Sequence, residues 1–369
     1  MKAPSALSPH ACLPPTRLPR GLPEKPAGQG ASLLALHHLN ASSAAARRLA
    51  AAEDSEALHD FRVGLRRLRV HLKAYAGCFS DLVRRRTVKA VRRLARDTNS
   101  ARDAEVLEGI LKGWEKTLKP SHKAGFDALL ARALKGRPKD ERHFIITACA
   151  DFNAVEEELR QKLSGQASIP SKGRIFGSLS AALLREAART LSGDLARIES
   201  PADDAAIHEA RIAGKHLRYL LEPFQSRSFP CRKAVARLKK LQDDLGEMHD
   251  LNICLKACRR CAKKSAAGWS VKLVEAASDR SGKPGRPPAD SDDNPVPGLV
   301  QLASLAGQDR AEAFKRFTTR WDAPRAAVFF HEVESVAESL SSRKRRKAVP
   351  PAGPDTAAAP AEASPARRA

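Results

Sequence analysis

A histidine followed by three cationic side chains occurs twice in this sequence, with the same spacing each time. The two sets are His59, Arg62, Arg66 and Arg69 in the first half and His208, Arg211, Lys215 and Arg218 in the second. Guanidinium groups bind phosphate oxygens through paired hydrogen bonds, ammonium groups attract them as point charges, and an imidazole can gain a proton near neutral pH. This combination indicates a site for an anion that carries many charges.

The spacing places each set on one face of a helix. The offsets from the histidine are 0, 3, 7 and 10 residues in both copies, and at about 100° per residue the four side chains share a stripe about 80° wide. An apolar series with the same rhythm begins one residue earlier. Its members are Leu58, Phe61, Leu65, Leu68, Leu72 and Tyr75, and in the second copy Ile207, Ala210, Gly214, Leu217, Leu221 and Phe224.

The apolar series predicts the face that each helix turns to the core. The basic stripe is rotated about 100° from that face, and therefore lies at the edge of the core rather than on the far side of the helix. Two neighbouring helices could place such stripes around a groove. The competing interpretation is that any surface helix of a basic protein carries arginine and lysine. Recurrence of all four positions, in register with the apolar series, favours the groove.

A second match extends the repeat. The segment Arg92-Arg93-Leu94 aligns with Lys239-Lys240-Leu241 at a shift of 147 residues, close to the shift of 149 that relates His59 to His208. Both segments are predicted to lie on further basic helices. Each half would therefore offer two basic helices, and neighbouring helices would turn their stripes to one groove.

Composition restricts the class of protein. The 369 residues carry a formal net charge of +23, which attracts polyanions without selecting one. Aromatic residues make up 5%, a fraction that argues against recognition of nucleic-acid bases by stacking. No apolar run reaches the about 18 residues of a membrane span, and prolines interrupt the N-terminus, so neither a membrane segment nor a signal peptide is expected. Seven cysteines fit reduced thiols in a cytoplasm.

The periodic segments predict an all-α protein. Short loops between amphipathic helices predict antiparallel packing, and the repeat predicts two pseudo-symmetric four-helix bundles, from an internal duplication, with a basic central cavity or groove. The predicted helices span residues 31–52, 55–77, 83–111 with a break near 98–99, 121–133, 140–163, 174–198, 201–224, 231–261 with a break at Gly246, 299–320 and 324–340.

Three segments are predicted to be flexible or disordered. Residues 1–30 are rich in proline and glycine, most of residues 263–297 form a polar insertion, and residues 341–369 are a basic and then alanine- and proline-rich tail. The remaining chain is one domain, residues 31–340, with a first repeat over 31–165 and a second over 173–340.

These motifs, in this order, resemble the CHAD family, the conserved histidine α-helical domain. The resemblance rests on the two histidine sets, on LKKLQDDLGEMHDLN (238–252) and on FKRFTTRW (314–321), and it covers about residues 31–262 and 298–321. It implies two four-helix bundles with a basic central cavity or groove. It also implies non-catalytic binding of inorganic polyphosphate, and association with polyphosphate granules and their proteins in the cytoplasm.

The resemblance further implies which side chains bind the ligand. They are His59, Arg62, Arg66, Arg69, Lys73, His208, Arg211, Lys215, Arg218 and Tyr219, with Arg92, Arg93, Lys239 and Lys240 from the second basic helices. A bound polyanion favours the charged form of histidine, so binding is expected to tighten as the pH falls from about 7 to about 5.5. No metal and no cofactor is expected.

Two other functions stay open. Asp103 and Asp250 are equivalent in the repeat, and with a divalent metal they could serve a phosphohydrolase or another polyphosphate-processing enzyme. Salt bridges to the basic stripes would explain the same two residues without catalysis. A nucleic-acid-binding protein is the second alternative, against which the low aromatic fraction argues.

Two further groups are interpreted as structural. Cys254, Cys258 and Cys261 share one helix face, but three thiols on a single helix do not have the usual spacing of a structural zinc site, so packing is favoured over a metal or redox role. His37 and His38 lack evident partners, and we expect them on a helix surface.

Overall fold

The computed structural model describes residues 18–51, 56–79, 88–97, 99–135, 141–167, 173–278 and 293–342. Within these ranges the chain forms eleven α-helices and no β-strand, which confirms the all-α class. The helices are α1 (Ala27–Ala50), α2 (Ala57–Ala74), α3 (Val88–Asp97), α4 (Asn99–Trp114), α5 (Lys123–Leu134), α6 (Glu141–Ala167), α7 (Phe176–Ala196), α8 (Asp204–Leu221), α9 (Phe229–Ser278), α10 (Pro295–Arg320) and α11 (Ala323–Ser341).

Four helices of each half pack side by side. Helix α1 packs against α2 and α6, and α3 completes the group by packing against the same two helices. In the second half α7 packs against α8 and α11, and α9 packs against that pair. The order of contacts is thus the same in the two halves. Two similar bundles produce this arrangement, whereas the gene duplication that would explain it stays a prediction.

An ion pair recurs in the same register. Arg48 Nη1 lies 2.7 Å from Asp60 Oδ2, and Arg197 Nη1 lies 2.7 Å from Glu209 Oε2. Both members of the second pair are shifted by 149 residues from the first. Exposed ion pairs of this kind stabilise a protein by at most about 1 kcal/mol. These two pairs are informative because they show which positions of the two halves correspond.

The remaining helices join the two halves. Helices α4 and α5 pack with α10 and the second part of α9 around a core of their own. That core contains Leu107, Leu111, Trp114, Phe126, Leu129, Leu251, Cys254, Cys258, Leu299 and Leu302. Trp114 Nε1 donates a hydrogen bond to Asp309 Oδ2 at 2.9 Å. Each half therefore supplies helices to one shared cluster.

Helices α5 and α10 meet at two glycines. A Cβ on Gly298 would lie 2.2 Å from the carbonyl oxygen of His122 and 2.9 Å from the Cα of Gly125. A Cβ on Gly125 would lie 2.5 Å from the backbone nitrogen of Leu299. Since these neighbours are backbone atoms, only glycine permits the observed distance between the two helices.

The predicted break at Gly246 is wrong, because α9 continues through it for 50 residues. Glycine costs about 1 kcal/mol inside a helix, but the buried side chains of Leu245 and Met248 hold α9 in place on both sides of it. The other predicted break falls on Thr98, which lies outside the described residues, between α3 and α4.

The prediction of disorder over residues 1–30 is wrong for residues 18–30. Leu22 and Pro23 are buried, the backbone nitrogen of Gly177 donates to the carbonyl oxygen of Pro23 at 2.8 Å, and α1 begins at Ala27. Composition did not reveal this segment because its partners are backbone groups at the start of α7. Residues 1–17 lie outside the described residues.

The prediction of a flexible insertion over 263–297 is wrong for residues 263–278 and 295–297. Helix α9 extends to Ser278, since no proline interrupts this polar segment, and α10 begins at Pro295 after Asn294 caps it. Residues 279–292 lie outside the description. The predicted tail began at Ser341, but Ser341 is the last residue of α11 and Ser342 follows it. Residues 343–369 lie outside the described residues.

Candidate functional site

A cleft of about 980 Å³ lies between the two halves and is lined mainly by α2, α8, α4 and α9. We call it the central cleft. Six of the predicted binding residues line it: His59, Arg62, Arg66, Arg211, Lys215 and Arg218. Arg62 and Arg66 of α2 occupy the positions that Arg211 and Lys215 occupy in α8. The fold thus brings the two basic stripes together.

The apolar series explains how the stripes reach the cleft. Its members are buried on both helices, apart from the half-buried Leu58. The predicted core face is therefore confirmed for α2 and α8. Turning this face inward leaves the basic stripe at the edge of the core, and Arg62 there is only 7% exposed.

Arg62 illustrates the electrostatics of this edge. Its Nη1 lies 3.9 Å from Glu105 Oε2 on α4, and Glu105 is far more exposed, at 34%. Removing a guanidinium from water is costly unless a negative charge compensates it. The positive charge of Arg62 therefore lies at the wall of the cleft, where it would attract an anion.

Positive charges predominate around Lys215. Burial lowers its pKa to about 7, and the positive charges of Arg211, Arg66 and Arg218 act in the same direction. The carboxylate of Asp250 opposes the shift and does not overcome it. Near neutral pH this ammonium group is therefore ready to lose its proton unless a further anion enters.

The histidines of the two sets differ in position. His59 is exposed and lines the central cleft, whereas His208 is exposed and does not line it. The ring of His208 stacks on His249 at 5.0 Å between centroids, and His249 does line the cleft. Burial lowers the pKa of His249 to about 4, together with the charge of Arg211. In the second half, His249 rather than His208 faces the cleft.

The central cleft is not purely basic. Four carboxylates also line it: Asp243, Glu247, Asp250 and Asp309. Glu247 Oε2 lies 2.6 Å from Arg316 Nη2, and Asp309 accepts the hydrogen bond from Trp114. The predicted basic character is thus concentrated on α2 and α8, while α9 and α10 contribute negative charge.

Four predicted residues of the first half lie outside the lining of the cleft: Arg69, Lys73, Arg92 and Arg93. Arg69 is half-buried, and burial followed by the charges of Arg66 and Arg92 lowers its pKa. Arg93 Nη2 instead lies 3.7 Å from Asp151 Oδ2 on α6. Lys73 is exposed at the end of α2. On α2 only residues up to Arg66 line the cleft, and Arg69 and Lys73 follow on later turns of the same helix.

Tyr219 is buried and has no surface to offer a ligand, being 1% exposed. Its ring lies beneath two guanidinium groups, with Arg218 at 5.0 Å and Arg67 at 5.7 Å from the ring centre. Cation–π contacts of this kind hold a guanidinium in place. Tyr219 therefore positions Arg218 for the cleft and does not itself line it.

Lys239 and Lys240 are neighbours in the sequence but line different cavities. Lys239 lines a second cleft of about 1100 Å³, which is bounded by α1, α2, the segment before α1 and the connection between α8 and α9. Lys240 lines a smaller pocket of about 290 Å³ beside Trp321 and Phe329. The sequence predicted both lysines on one binding surface, and the turn of α9 separates them.

His38 is buried, so the prediction that it lies on a helix surface is wrong. It is 6% exposed, and its ring stacks on His71 of α2 at 4.5 Å between centroids. Burial lowers its pKa well below the usual value, and the charge of His71 adds to the effect. His37 is half-buried beside it.

The three cysteines of α9 lie in the shared core, as the packing interpretation expects. Cys254, Cys258 and Cys261 are all buried, and within the described residues no group of three potential ligands is arranged to hold a metal ion. Asp250 lines the central cleft, whereas the side chain of Asp103 lies outside the described residues.

Sequence reasoning missed the wall that α4 contributes. Val106, Gly109, Ile110 and Gly113 line the central cleft at helical spacing. A Cβ on either glycine would meet no atom within 4 Å, so the two glycines widen the cleft. Their spacing of four residues was the available signal, but only the packing of α4 against α9 shows which cavity it faces.

None of the described helices combines the length and the apolar character needed to cross a bilayer.

The chain was compared with known families, curated proteins and solved structures. Residues 33–259 match the family model for the CHAD domain. The structure is similar to the crystal structure of the CHAD domain from the plant Ricinus communis, with a TM-score of 0.58 and 21% sequence identity over 86% of this chain and 98% of that one. The comparison with curated proteins gives no significant match.

Proposed function

The chain belongs to the CHAD domain family, and from this premise we propose that it binds inorganic polyphosphate in the central cleft without catalysing a reaction. The observation that carries the proposal is the convergence of Arg62, Arg66, Arg211 and Lys215, from equivalent positions of two helices, on one cavity. Arginine supplies paired donors to phosphate oxygens, and lysine a mobile point charge.

The balance of charge supports an anionic ligand. Lys215 has a pKa near 7 because burial and three arginines outweigh one carboxylate. Arg62 lines the same cleft and is 7% exposed, so its charge lies at the edge of the core beside the proposed ligand. A polyphosphate chain carries about one negative charge per phosphate, and would satisfy several of these cations at once. Its uniform charge also suits a cleft whose cations come from two helices rather than from one compact cluster.

The cellular role we propose is recruitment to polyphosphate granules, or their organisation, in the cytoplasm. Granule-associated proteins would be the partners. This role follows from family membership together with the proposed ligand. Localisation of a fluorescent fusion in cells that lack polyphosphate, compared with cells that store it, tests the role separately from binding.

A binding titration tests the ligand and the site. Long-chain polyphosphate is titrated at two salt concentrations against the parent and against Arg66→Gln/Lys215→Gln, whose side chains line the cleft. The matched control is Lys73→Gln/Arg93→Gln, which removes two charges outside it. We expect a loss of at least about tenfold in the cleft variant, because charge-assisted hydrogen bonds contribute about 1.5–3 kcal/mol each. Equal losses in the two variants would contradict the site.

The salt dependence gives an independent check. Release of counterions makes polyanion binding weaken steeply with salt, and the slope should be shallower in the cleft variant than in the control. A variant that ends at Ser342 measures the contribution of the basic run at residues 343–347. Binding that disappears with this truncation and survives in the cleft variant would place the site in the tail.

The two alternative functions have direct tests. A metal-dependent phosphohydrolase would release phosphate from polyphosphate when Mg²⁺ or Mn²⁺ is added, and Asp250→Asn would reduce that release. A nucleic-acid-binding protein would bind duplex DNA as tightly as polyphosphate at equal phosphate concentration. We expect neither result, since Trp114 is the only aromatic side chain other than histidine among the described residues of the cleft wall, and aromatic residues that could stack on bases make up 5% of the chain.

A further inference from the structure

The second cleft and the central cleft follow one another along the same helices. On α2, Val63 lines both, Arg66 lines only the central cleft and Arg67 only the second. On α9, Gln242 lines the central cleft, and Lys239, three residues earlier, lines the second cleft. The two clefts therefore adjoin at Val63, and neighbouring residues of α2 and α9 line one cleft or the other.

The second cleft has the charge that the same ligand requires. Its cationic lining residues are Arg20, Arg48, Arg67, Arg227 and Lys239. Asp60 and Glu222 are the carboxylates among the lining residues, so cations are in excess. The wall also contains His38, a buried side chain whose Nε2 makes no hydrogen bond with the described residues. An oxygen-rich anion would have both charge and a polar partner here.

Glu222 lies at the junction of the two clefts. Arg67 Nε donates to Glu222 Oε2 at 2.8 Å, and Arg218 Nε lies 3.6 Å from Glu222 Oε1. Arg67 faces the second cleft and Arg218 the central one. This carboxylate, which is 12% exposed, therefore occupies the position between two arginines that a phosphate group of a continuous chain would take.

The repeat strengthens this interpretation of Glu222. Its equivalent in the first half, at a shift of 149 residues, is Lys73. The second half thus carries a negative charge where the first carries a positive one, at the point where α2 and α8 meet. A carboxylate at this position keeps Arg67 and Arg218 in place when no ligand is bound.

Resting on the proposed function, we propose that the second cleft continues the polyphosphate site. A long chain extends from the central cleft, between Arg67 and Arg218, to Lys239. The chain displaces the carboxylate of Glu222 from Arg67 and Arg218. Only a long chain gains enough new contacts in the second cleft to offset the loss of these two ion pairs, so Glu222 favours the binding of long chains. Short chains occupy the central cleft alone.

The pair Lys239 and Lys240 gives a matched test, because the two lysines are adjacent, exposed and equally charged but line different cavities. Lys239→Ala and Lys240→Ala are titrated with tripolyphosphate and with chains of about one hundred phosphates. We expect Lys239→Ala to weaken long-chain binding about tenfold, the effect of one charge-assisted contact, and to leave tripolyphosphate binding within about twofold. Lys240→Ala should change neither by more than about twofold.

Glu222→Gln tests the displaced carboxylate. Removing the charge should tighten long-chain binding several-fold and leave tripolyphosphate binding nearly unchanged. Thermal unfolding confirms that the variant is folded, and Arg67→Gln, which removes the partner instead, should weaken long-chain binding. Unchanged or weaker long-chain binding by a folded Glu222→Gln would overturn the role of Glu222.

The outcomes separate this inference from the proposed function. If the parent binds neither chain length, the proposed function fails. If it binds both, and the two lysine variants lose long-chain affinity equally, the continuation into the second cleft is overturned. A tenfold loss of tripolyphosphate affinity in Lys239→Ala would place the short chain in the second cleft. This result would also overturn the proposal that only long chains reach the second cleft.

Discussion

The imidazole Nε2 of His71, on α2, lies 3.0 Å from the backbone carbonyl oxygen of Tyr219, on α8, and so joins the two halves in the interior. Its Nδ1 lies 2.8 Å from the carbonyl oxygen of Arg67. A neutral imidazole has one N–H and can donate to only one of these oxygens. Burial nevertheless lowers the pKa of His71 to about 4, with smaller contributions from the charges of His216 and Arg67.

This contact predicts a loss of stability in mild acid. Because the folded pKa lies below the usual 6.5 of histidine, the unfolded chain binds the proton more readily. Stability is therefore complete above pH 6.5 and is lost as the pH falls toward 4, by about 3 kcal/mol for His71 alone. Urea unfolding at pH 7.5 and 4.5 measures the difference. His71→Gln should be less stable at pH 7.5 but lose less on acidification, whereas exposed His331→Gln should match the parent.

Binding should tighten as the pH falls through about 7. In the free protein Lys215 has a pKa of about 7, and a bound polyanion raises it. Complex formation above pH 7 therefore takes up a proton, and the affinity decreases as the pH rises. Titrations at pH 6, 7, 8 and 9 measure this dependence. Lys215→Arg, which keeps its charge throughout this range, should bind with a nearly constant affinity.

Blocking the central cleft without altering its charge should weaken binding. Gly109→Leu/Gly113→Leu places two side chains in the cleft, where a Cβ meets no atom within 4 Å. Leucine also favours helix more than glycine, by up to about 1 kcal/mol per residue, so the variant should be at least as stable as the parent. Gly165→Leu on α6, likewise open around its Cβ and outside the cleft, is the control. Undiminished polyphosphate binding by the double variant would contradict the proposed site.

Two glycines of α10 should respond in opposite directions to alanine. Gly298→Ala drives a Cβ to 2.2 Å from the carbonyl oxygen of His122, so α5 and α10 must separate and the shared core loosens. We expect destabilisation of about 2 kcal/mol or more, in the range of overpacked cores. At Gly307 a Cβ meets nothing within 4 Å, and alanine should stabilise by up to about 1 kcal/mol. Thermal unfolding of both variants checks the contrast.

The sequence was informative wherever a local pattern determined the structure. The apolar series of α2 and α8 placed Arg62, Arg66, Arg211 and Lys215 at the edge of the core, which is where the central cleft lies. Helical periodicity is a property of a single segment, so it could be read without knowledge of the neighbours.

Predictions that depended on another segment were less successful. His249 and the glycines of α4 line the cleft only because α4 and α9 pack across it. Residues 18–30 looked disordered because their stabilising partners lie at the start of α7, about 150 residues away. Lys239 and Lys240 could not be separated, since the direction of each side chain depends on how α9 is rotated against α2 and α8.

The shared core of α4, α5, α9 and α10 has a consequence for the independence of the two halves. Neither half can cover the apolar faces of Trp114, Phe126 or Leu302 by itself, because each face is completed by helices from the other half. A single repeat made alone would have to pair with a second copy of itself to remain folded. In the full chain both halves complete this core together, and we expect the protein to unfold in one cooperative step.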